Sequence, residues 1–375
     1  MLYQARDAAA DQPGYYHGFE RLVSEGLLGA HVGIPFLDTS ERKGSGGLWD
    51  EAEQTARDME CDAVFLQFFH AEMPDPTEGI QRLKKLRCRP TIFTSLGDGF
   101  GRLTNRTPKS FRVASSIADI SFLTGTGYLA EQLKQWGSRN LVLMPNGCCQ
   151  VRFSSEPATS ETEQEFDVAF VGSRMHSRNP AGHFFWVGRK RLEFVAAFTK
   201  RYGKRFGLFG KGWEENASWQ GPIPYARQHE AYWRAAVAVG GMPNANHDYY
   251  TSDRPFIAIA SGVPLVDYAV KGVERILIPG LEWWPADSIS SLIRECDKLL
   301  DLPHSERIRL GHLARERILG SHTQYHRCRE MIDIVGALRA ARLSGRTLPE
   351  PKLNFLTPCK NRECIQPRAV VAWKG

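Results

Sequence analysis

The stretch that decides the fold runs from Tyr249 to Tyr268, YYTSDRPFIAIASGVPLVDY, a polar cluster leading into a helix-length apolar run, a glycine and a short strand. Ser252 or Asp253 can cap a helix that carries Phe256, Ile257 and Ala260, and Gly262 can stop it before Val263 to Val266 extends as a buried strand. Arg254 then falls in the first turn. A helix N-terminus attracts anions through its free N–H groups and its dipole, and a guanidinium beside it adds a charge-assisted phosphate contact. A nucleotide-diphosphate site is therefore expected here. A capped surface helix with a salt-bridged arginine would carry the same pattern.

Outward from this stretch, short apolar runs alternate with amphipathic ones, the mark of strand–helix units and parallel sheets. In the first half the spacing predicts strands at Met1 to Gln4, His31 to Leu37, Asp62 to Phe69, Thr91 to Ser95, Ile120 to Thr124 and Leu141 to Met144. Helices are expected near 18–27, 48–59, 77–86 and 127–136, and the polar, glycine-rich SERKGSGG at 40–47 reads as a loop. In open parallel sheets ligands bind beyond the carboxyl ends of strands, which makes His70 and Asp98 candidates for chemistry. Each also has an ordinary reading as a strand-end or turn residue.

The polar, acidic run SSEPATSETEQE at 154–165 reads as an interdomain linker. A second series follows. Strand Phe166 to Val171 delivers Gly172-Ser173-Arg174, and strand Arg205 to Phe209 delivers Gly210-Lys211-Gly212. Glycines after strands let backbone N–H groups approach a phosphate, and the adjacent Arg and Lys supply charge. Helices at about 186–203, 227–235, 286–300, 303–318 and 322–343 complete the series. The expected organisation is 1–153, linker 154–165, 166–343 and a basic tail 344–375.

At 375 residues, 42% hydrophobic and 24% charged, the chain suits two globular domains. No apolar run reaches membrane-spanning length and the opening MLYQARDAAADQ lacks signal-peptide regions, so a soluble cytoplasmic protein is expected. The eight cysteines lack the framework of a secreted scaffold. Cys359, Cys364, His322, His326 and Cys328 could be assembled into a zinc site only with loose spacing, so no metal is expected. The net charge of +6 is carried by the end of the chain, where residues 321–375 hold ten Lys/Arg against four Asp/Glu. Such a tail suits a polyanion or simply a solvated end.

The series FVGSR at 170–174, LFGKGW at 208–213, GPIPY at 221–225, SDRPFIAIASG at 252–262 and HTQYHR at 322–327 resembles the C-terminal domain of CgeB-like glycosyltransferases. The likeness covers about 160 residues in order. It is weaker over the first half, where it rests on strand–helix order and the Pro145-Asn146-Gly147 turn. It implies a GT-B fold, two Rossmann-like doubly wound domains facing each other across a cleft. The first would take the acceptor and the second a nucleotide sugar, with a UDP-sugar as the expected donor and no obligatory metal or other cofactor. Carried over, Gly172, Ser173 and Arg174 line one phosphate loop and Gly210 and Lys211 a second. Ser252, Asp253, Arg254, Phe256 and Gly262 form the helix that meets the diphosphate. His70 resembles the histidine that ends an N-domain strand in some GT-B enzymes, and Asp98 is its rival as general base.

One departure stands out. Many related enzymes carry Phe-Glu where this chain has Phe256-Ile257, and the glutamate of a Glu-x7-Glu motif is replaced at position 249 by tyrosine. Isoleucine cannot bind a ribose, so Asp253 could take over, the nucleotide could be held differently, or the site could be degenerate. The sequence thus points to a glycosyltransferase acting on a glycan, metabolite or protein hydroxyl. A phage-type enzyme glucosylating hydroxymethylated DNA is a second reading, motivated by Arg339, Arg342, Arg346, Lys352, Lys360, Arg362 and Arg368, with Trp49, Phe100 and Phe111 offering stacking surface. A nucleotide-sugar-binding protein without turnover is a third. Donor base, stereochemistry and oligomeric state are not encoded legibly.

Overall fold

In a computed structural model, which describes residues 1–67, 75–99, 106–155, 164–175, 183–241 and 247–346, the chain builds two all-parallel sheets. The first contains β1 (Leu2–Tyr3), β2 (Ile34–Pro35), β3 (Ala63–Gln67), β4 (Thr91–Leu96), β5 (Ile120–Leu123) and β6 (Leu141–Leu143), in the order β2-β1-β3-β4-β5-β6. The second contains β7 (Phe166–Val171), β8 (Phe206–Phe209), β9 (Ala235–Val239), β10 (Leu265–Tyr268) and β11 (Trp283–Ala286), in the order β11-β10-β9-β7-β8. Both orders reverse direction once, between β1 and β3 and between β7 and β9, which is the doubly wound arrangement.

Alternation along each strand creates two apolar faces, because successive side chains point to opposite sides. In the first sheet Leu2, Val64 and Leu66 join one buried cluster with Leu48 and Trp49, while Tyr3 and Phe65 join a second with Phe19 and Phe93. In the second sheet Val168, Phe170, Leu208 and Val237 pack under Phe194 and Phe198 of the His183–Tyr202 helix. The Ile289–Leu300 helix starts at a reciprocal cap: Ser291 N–H donates to Ser288 Oγ (3.2 Å) and Ser288 N–H to Ser291 Oγ (2.9 Å).

The two sheets belong to separate compact units, one holding residues 1–99, Arg106–Pro145 and the helix from Gln324 onward, the other holding Asn146–Thr323. The last helix, Gln324–Ser344, was expected to close the second domain. It packs instead with the first unit, where Tyr325, Met331, Ile334 and Leu338 enter the cluster of Tyr15 and Phe19. Tyr325 donates to Glu25 (2.7 Å), and Gly18 lacks a Cβ that would stand 3.2 Å from Cys328 Sγ.

Two further expectations change. The glycine-rich stretch expected as a loop is part of the Phe36–Asp58 helix, broken only at Gly44 (φ 71°, ψ 174°), where a left-handed φ suits glycine. Strand β11 was not expected. Residues 156–163 of the expected linker and 347–375 of the tail lie outside the described residues. Among the described residues no helix is long and apolar enough to cross a membrane, and no group of His, Cys, Asp and Glu could hold a metal ion. Cys359 and Cys364 lie outside them.

Candidate anion and sugar site of the second unit

The switch point between β7 and β9 is where this sheet should bind a ligand, and charged groups converge there. Beyond β7 the chain continues beside the end of β8. Gly172 N–H donates to Phe209 O (2.8 Å), Arg174 N–H to Lys211 O (2.8 Å), and Lys211 N–H to Ser173 Oγ (3.4 Å). The approach demands glycine at 210, whose φ is +138° and whose Cβ, if present, would lie 2.5 Å from Gly172 O. Two indoles hold the loops from beneath: Trp213 Nε1 donates to Gly172 O (2.7 Å) and Trp219 Nε1 to Gly210 O (2.8 Å). The structure therefore brings Gly172, Ser173, Arg174, Gly210 and Lys211 together.

Under them lies a residue that the sequence reading missed. Arg191, from the His183–Tyr202 helix, is 1% exposed. Its Nη1 donates to Ser173 O (2.6 Å), while Nε and Nη2 have no hydrogen-bond partner among the described residues. Burial, and then the neighbouring charge of Arg254, push its pKa down to about 9. A buried guanidinium with two unused donors is costly unless an anion completes it. The signal was present in sequence: Arg191 sits on the apolar stripe of its helix, three and four residues before Phe194 and Val195, where a core side chain belongs. Arg174 adds another buried unpartnered nitrogen, Nε.

The helix singled out first spans Asp253–Ala260, with Ser252 in the N-cap position. Neither expected cap forms: Ser252 makes no side-chain capping bond, and Asp253 is the first helical residue, its Oδ2 accepting the Tyr225 hydroxyl (2.6 Å). Burial, then the Asp253 charge, drive that phenol's pKa well up. Arg254 makes no hydrogen bond or ion pair among the described residues, so the salt bridge of the alternative reading is not seen among them. Gly262 (φ 76°) ends the helix as expected. Phe256 is fully buried and stacks on His322 at 5.6 Å, so this member of the expected donor set serves packing. Ile257 is fully buried as well.

A pocket opens beside the start of the Asp253–Ala260 helix, walled by Ser252, Arg254, Tyr232, Gly240 and Asp267. Asp267, near the end of β10, was also missed; an acid closing the apolar run Pro264-Leu265-Val266 was the available signal. Burial raises its pKa to about 7, against the opposing pull of the Tyr268 N–H and Arg254. Tyr249, just before this helix in sequence, adopts a left-handed backbone (φ 63°) that a bulky residue seldom takes. Its N–H donates to Lys271 O (2.7 Å), Lys271 pairs with Asp248 (2.8 Å), and its ring lies against Gly272.

Of the candidates in the first unit, Asp98 is exposed beyond β4, and His70 lies outside the described residues. The proposed stacking surface does not form: Trp49 is 6% exposed and packs on Gly79, and Phe111 is fully buried. Arg339 pairs with Asp62 (2.7 Å) and Arg342 with Asp119 (2.9 Å), while Phe100 and the four basic residues from Lys352 to Arg368 lie outside the described residues.

The fold has counterparts among known proteins. A family model described as glycosyl transferase-like matches residues 189–333, a span that includes Arg191, Lys211, Arg254 and Asp267. No curated protein matches. Among solved structures, a glycosyltransferase from Rickettsia africae has a TM-score of 0.55 at 12% identity over 85% of this chain and 87% of its own. Sucrose-phosphate synthase from Thermosynechococcus elongatus has a TM-score of 0.53 at 15% identity, over 82% and 81%. A trehalose 6-phosphate synthase from Burkholderia multivorans has a TM-score of 0.51 at 12% identity, over 88% and 84%. The two parallel sheets with their helices are those of the GT-B fold, and residues 189–333 are similar to the glycosyl transferase-like family.

Proposed function

We propose that the protein is a glycosyltransferase that moves a sugar from a nucleotide-diphosphate sugar, with UDP-sugars the first candidates, to an acceptor hydroxyl. The observation that carries the reading is the buried Arg191, with two unpartnered nitrogens beneath Ser173 and beside an unpaired Arg254. Glycosyl transfer builds negative charge on the departing diphosphate, and preorganised cations and open N–H groups lower that barrier without reorganising. Arg254, Arg191, Arg174, Lys211 and the start of the Asp253–Ala260 helix would provide them. No metal is needed for this role.

The likeness of the quoted segments to CgeB-like enzymes agrees with the proposal. Asp98 or His70 would serve as general base if the reaction inverts configuration; a retaining course would lean on the leaving phosphate. A glycan, metabolite or protein hydroxyl is the acceptor we favour over DNA, because Trp49 and Phe111 are core residues and Arg339 and Arg342 are ion-paired. Ile257 does not by itself favour a protein without turnover, since its side chain is in the core. The first unit is the acceptor domain in this proposal, and a cytoplasmic setting suits the donor.

The test is a thermal-shift panel of UDP-, GDP-, ADP-, CDP- and dTDP-sugars with and without chelator, followed by donor hydrolysis and transfer. A ligand that binds only the native state raises apparent stability. One selective, chelator-insensitive shift is expected, with hydrolysis lost in Arg254→Ala. Full activity of Arg254→Ala would refute the assignment.

A further inference from the structure

The diphosphate reading, on which this inference rests, leaves one charged group of the pocket unexplained. Asp267 Oδ1 accepts the Tyr268 N–H at 2.7 Å, and no other hydrogen bond or ion pair reaches the carboxyl among the described residues. Arg254 is near enough to favour its ionised form but does not close on it. The chain makes room for this acid: a Cβ at Gly240 would stand 2.0 Å from both Asp267 Cγ and Oδ1, so glycine is required at the end of β9 for the carboxyl to occupy the pocket wall. Glycine there and an acid at 267 together keep a carboxyl in the same pocket wall as Arg254.

A carboxylate beside a phosphate site works against the phosphate, since like charges repel. Its acceptor oxygen suits a hydrogen-bond donor, and the neutral donors nearest the diphosphate in a nucleotide sugar are the hydroxyls of the ribose and of the sugar. An ionised carboxylate accepts and cannot donate, so its free oxygen selects for such groups. Position 257 cannot do so, because Ile257 faces the core.

We propose that Asp267 is a specificity-determining residue whose free oxygen accepts a hydrogen bond from a hydroxyl of the bound nucleotide sugar, distinguishing a sugar-bearing diphosphate from a bare one. The hydroxyl belongs either to the ribose or to the transferred sugar.

Calorimetry on the full-length wild type, Asp267→Ala and Asp267→Asn tests this with pyrophosphate, with UDP-, GDP-, ADP-, CDP- and dTDP-glucose, and with the free nucleoside diphosphates. Pyrophosphate should bind all three proteins within about twofold, or the variants more tightly. The nucleotide sugar preferred by wild type should bind Asp267→Ala roughly ten- to a hundredfold more weakly, as expected for one hydrogen bond to a charged acceptor. Loss shared by the free nucleoside diphosphate places the hydroxyl on ribose; loss confined to the nucleotide sugar places it on the transferred sugar. Equal affinity of wild type and Asp267→Ala for every nucleotide overturns the proposal while leaving the diphosphate site standing. Parallel weakening of pyrophosphate overturns it too, as does an Asp267→Asn protein that melts below wild type, since the carboxyl would then be structural. If wild type binds pyrophosphate but no nucleotide, Asp267 has no hydroxyl to read and the proposal fails. If it binds neither, the diphosphate reading fails with it.

Discussion

Replacing Arg191 by methionine should make the protein more stable and less able to bind an anion. The fall of its pKa from above 12 to about 9 measures the cost of holding the charge in the core. At about 1.4 kcal/mol for each pH unit, that cost is on the order of 5 kcal/mol. Methionine keeps most of the volume and gives up the bond to Ser173 O, worth about 1 kcal/mol. A net gain of about 1–4 kcal/mol is the range found when buried charges give way to apolar side chains. For a unit of this size that means a melting temperature higher by roughly 2–16 °C. The sign with pH follows from the direction of the shift. The folded state releases the Arg191 proton more readily than the unfolded chain, so the penalty is present at neutral pH and is relieved as pH rises through about 9. The advantage of Arg191→Met should therefore shrink between pH 8 and pH 10. Thermal melts at the two pH values, repeated with millimolar pyrophosphate, provide the assay. Pyrophosphate should stabilise wild type and barely shift the variant. A variant that melts lower than wild type and still responds to pyrophosphate would show that Arg191 is a structural cation and that the site lies elsewhere.

Two other substitutions probe the frame of the site. Gly210→Ala places a Cβ 2.5 Å from Gly172 O at φ +138°, so it should cost about 1–3 kcal/mol and weaken nucleotide binding in the same thermal-shift assay. Arg317→Ala strands Glu282, fully buried and paired to Arg317 at 2.6 Å, and should lower stability by about 3–5 kcal/mol in urea melts; nucleotide affinity measured on the folded fraction should not change.

The strand series was legible because buried parallel strands are short apolar runs between glycine-marked turns; Phe166–Val171 falls at its expected limits. Strand β11 was not, because Trp-Trp-Pro-Ala has neither period nor length, and it is a strand only through its ladder with Leu265–Tyr268. The stretch at 40–47 misled because glycine and polar residues suit loops, yet the apolar positions of Phe36, Leu48 and Trp49 on either side anchor a helix that needs only one left-handed kink. The glycine turns after β7 and β8, and the place of Arg254 in the first turn of its helix, were legible from local chemistry. Arg191 and Asp267 were not singled out, because each looks like an intrusion in a core element until its neighbours are seen. The Gln324–Ser344 helix could be read, but its apolar stripe does not say which sheet it covers.

That last helix has a consequence for how the molecule is made. The ribosome finishes the six strands of the first sheet early, yet Tyr325, Met331 and Leu338, which cover one of its faces, are synthesised only after the whole second unit. Until then Tyr15, Phe19 and Phe65 are incompletely covered on that face, the condition in which nascent chains meet chaperones or associate with one another. A fragment cut after Thr323 carries every strand of both sheets but keeps that wound open. The natural division for expressing a half of this protein alone is therefore Asn146–Thr323, because the other half is contiguous only in space.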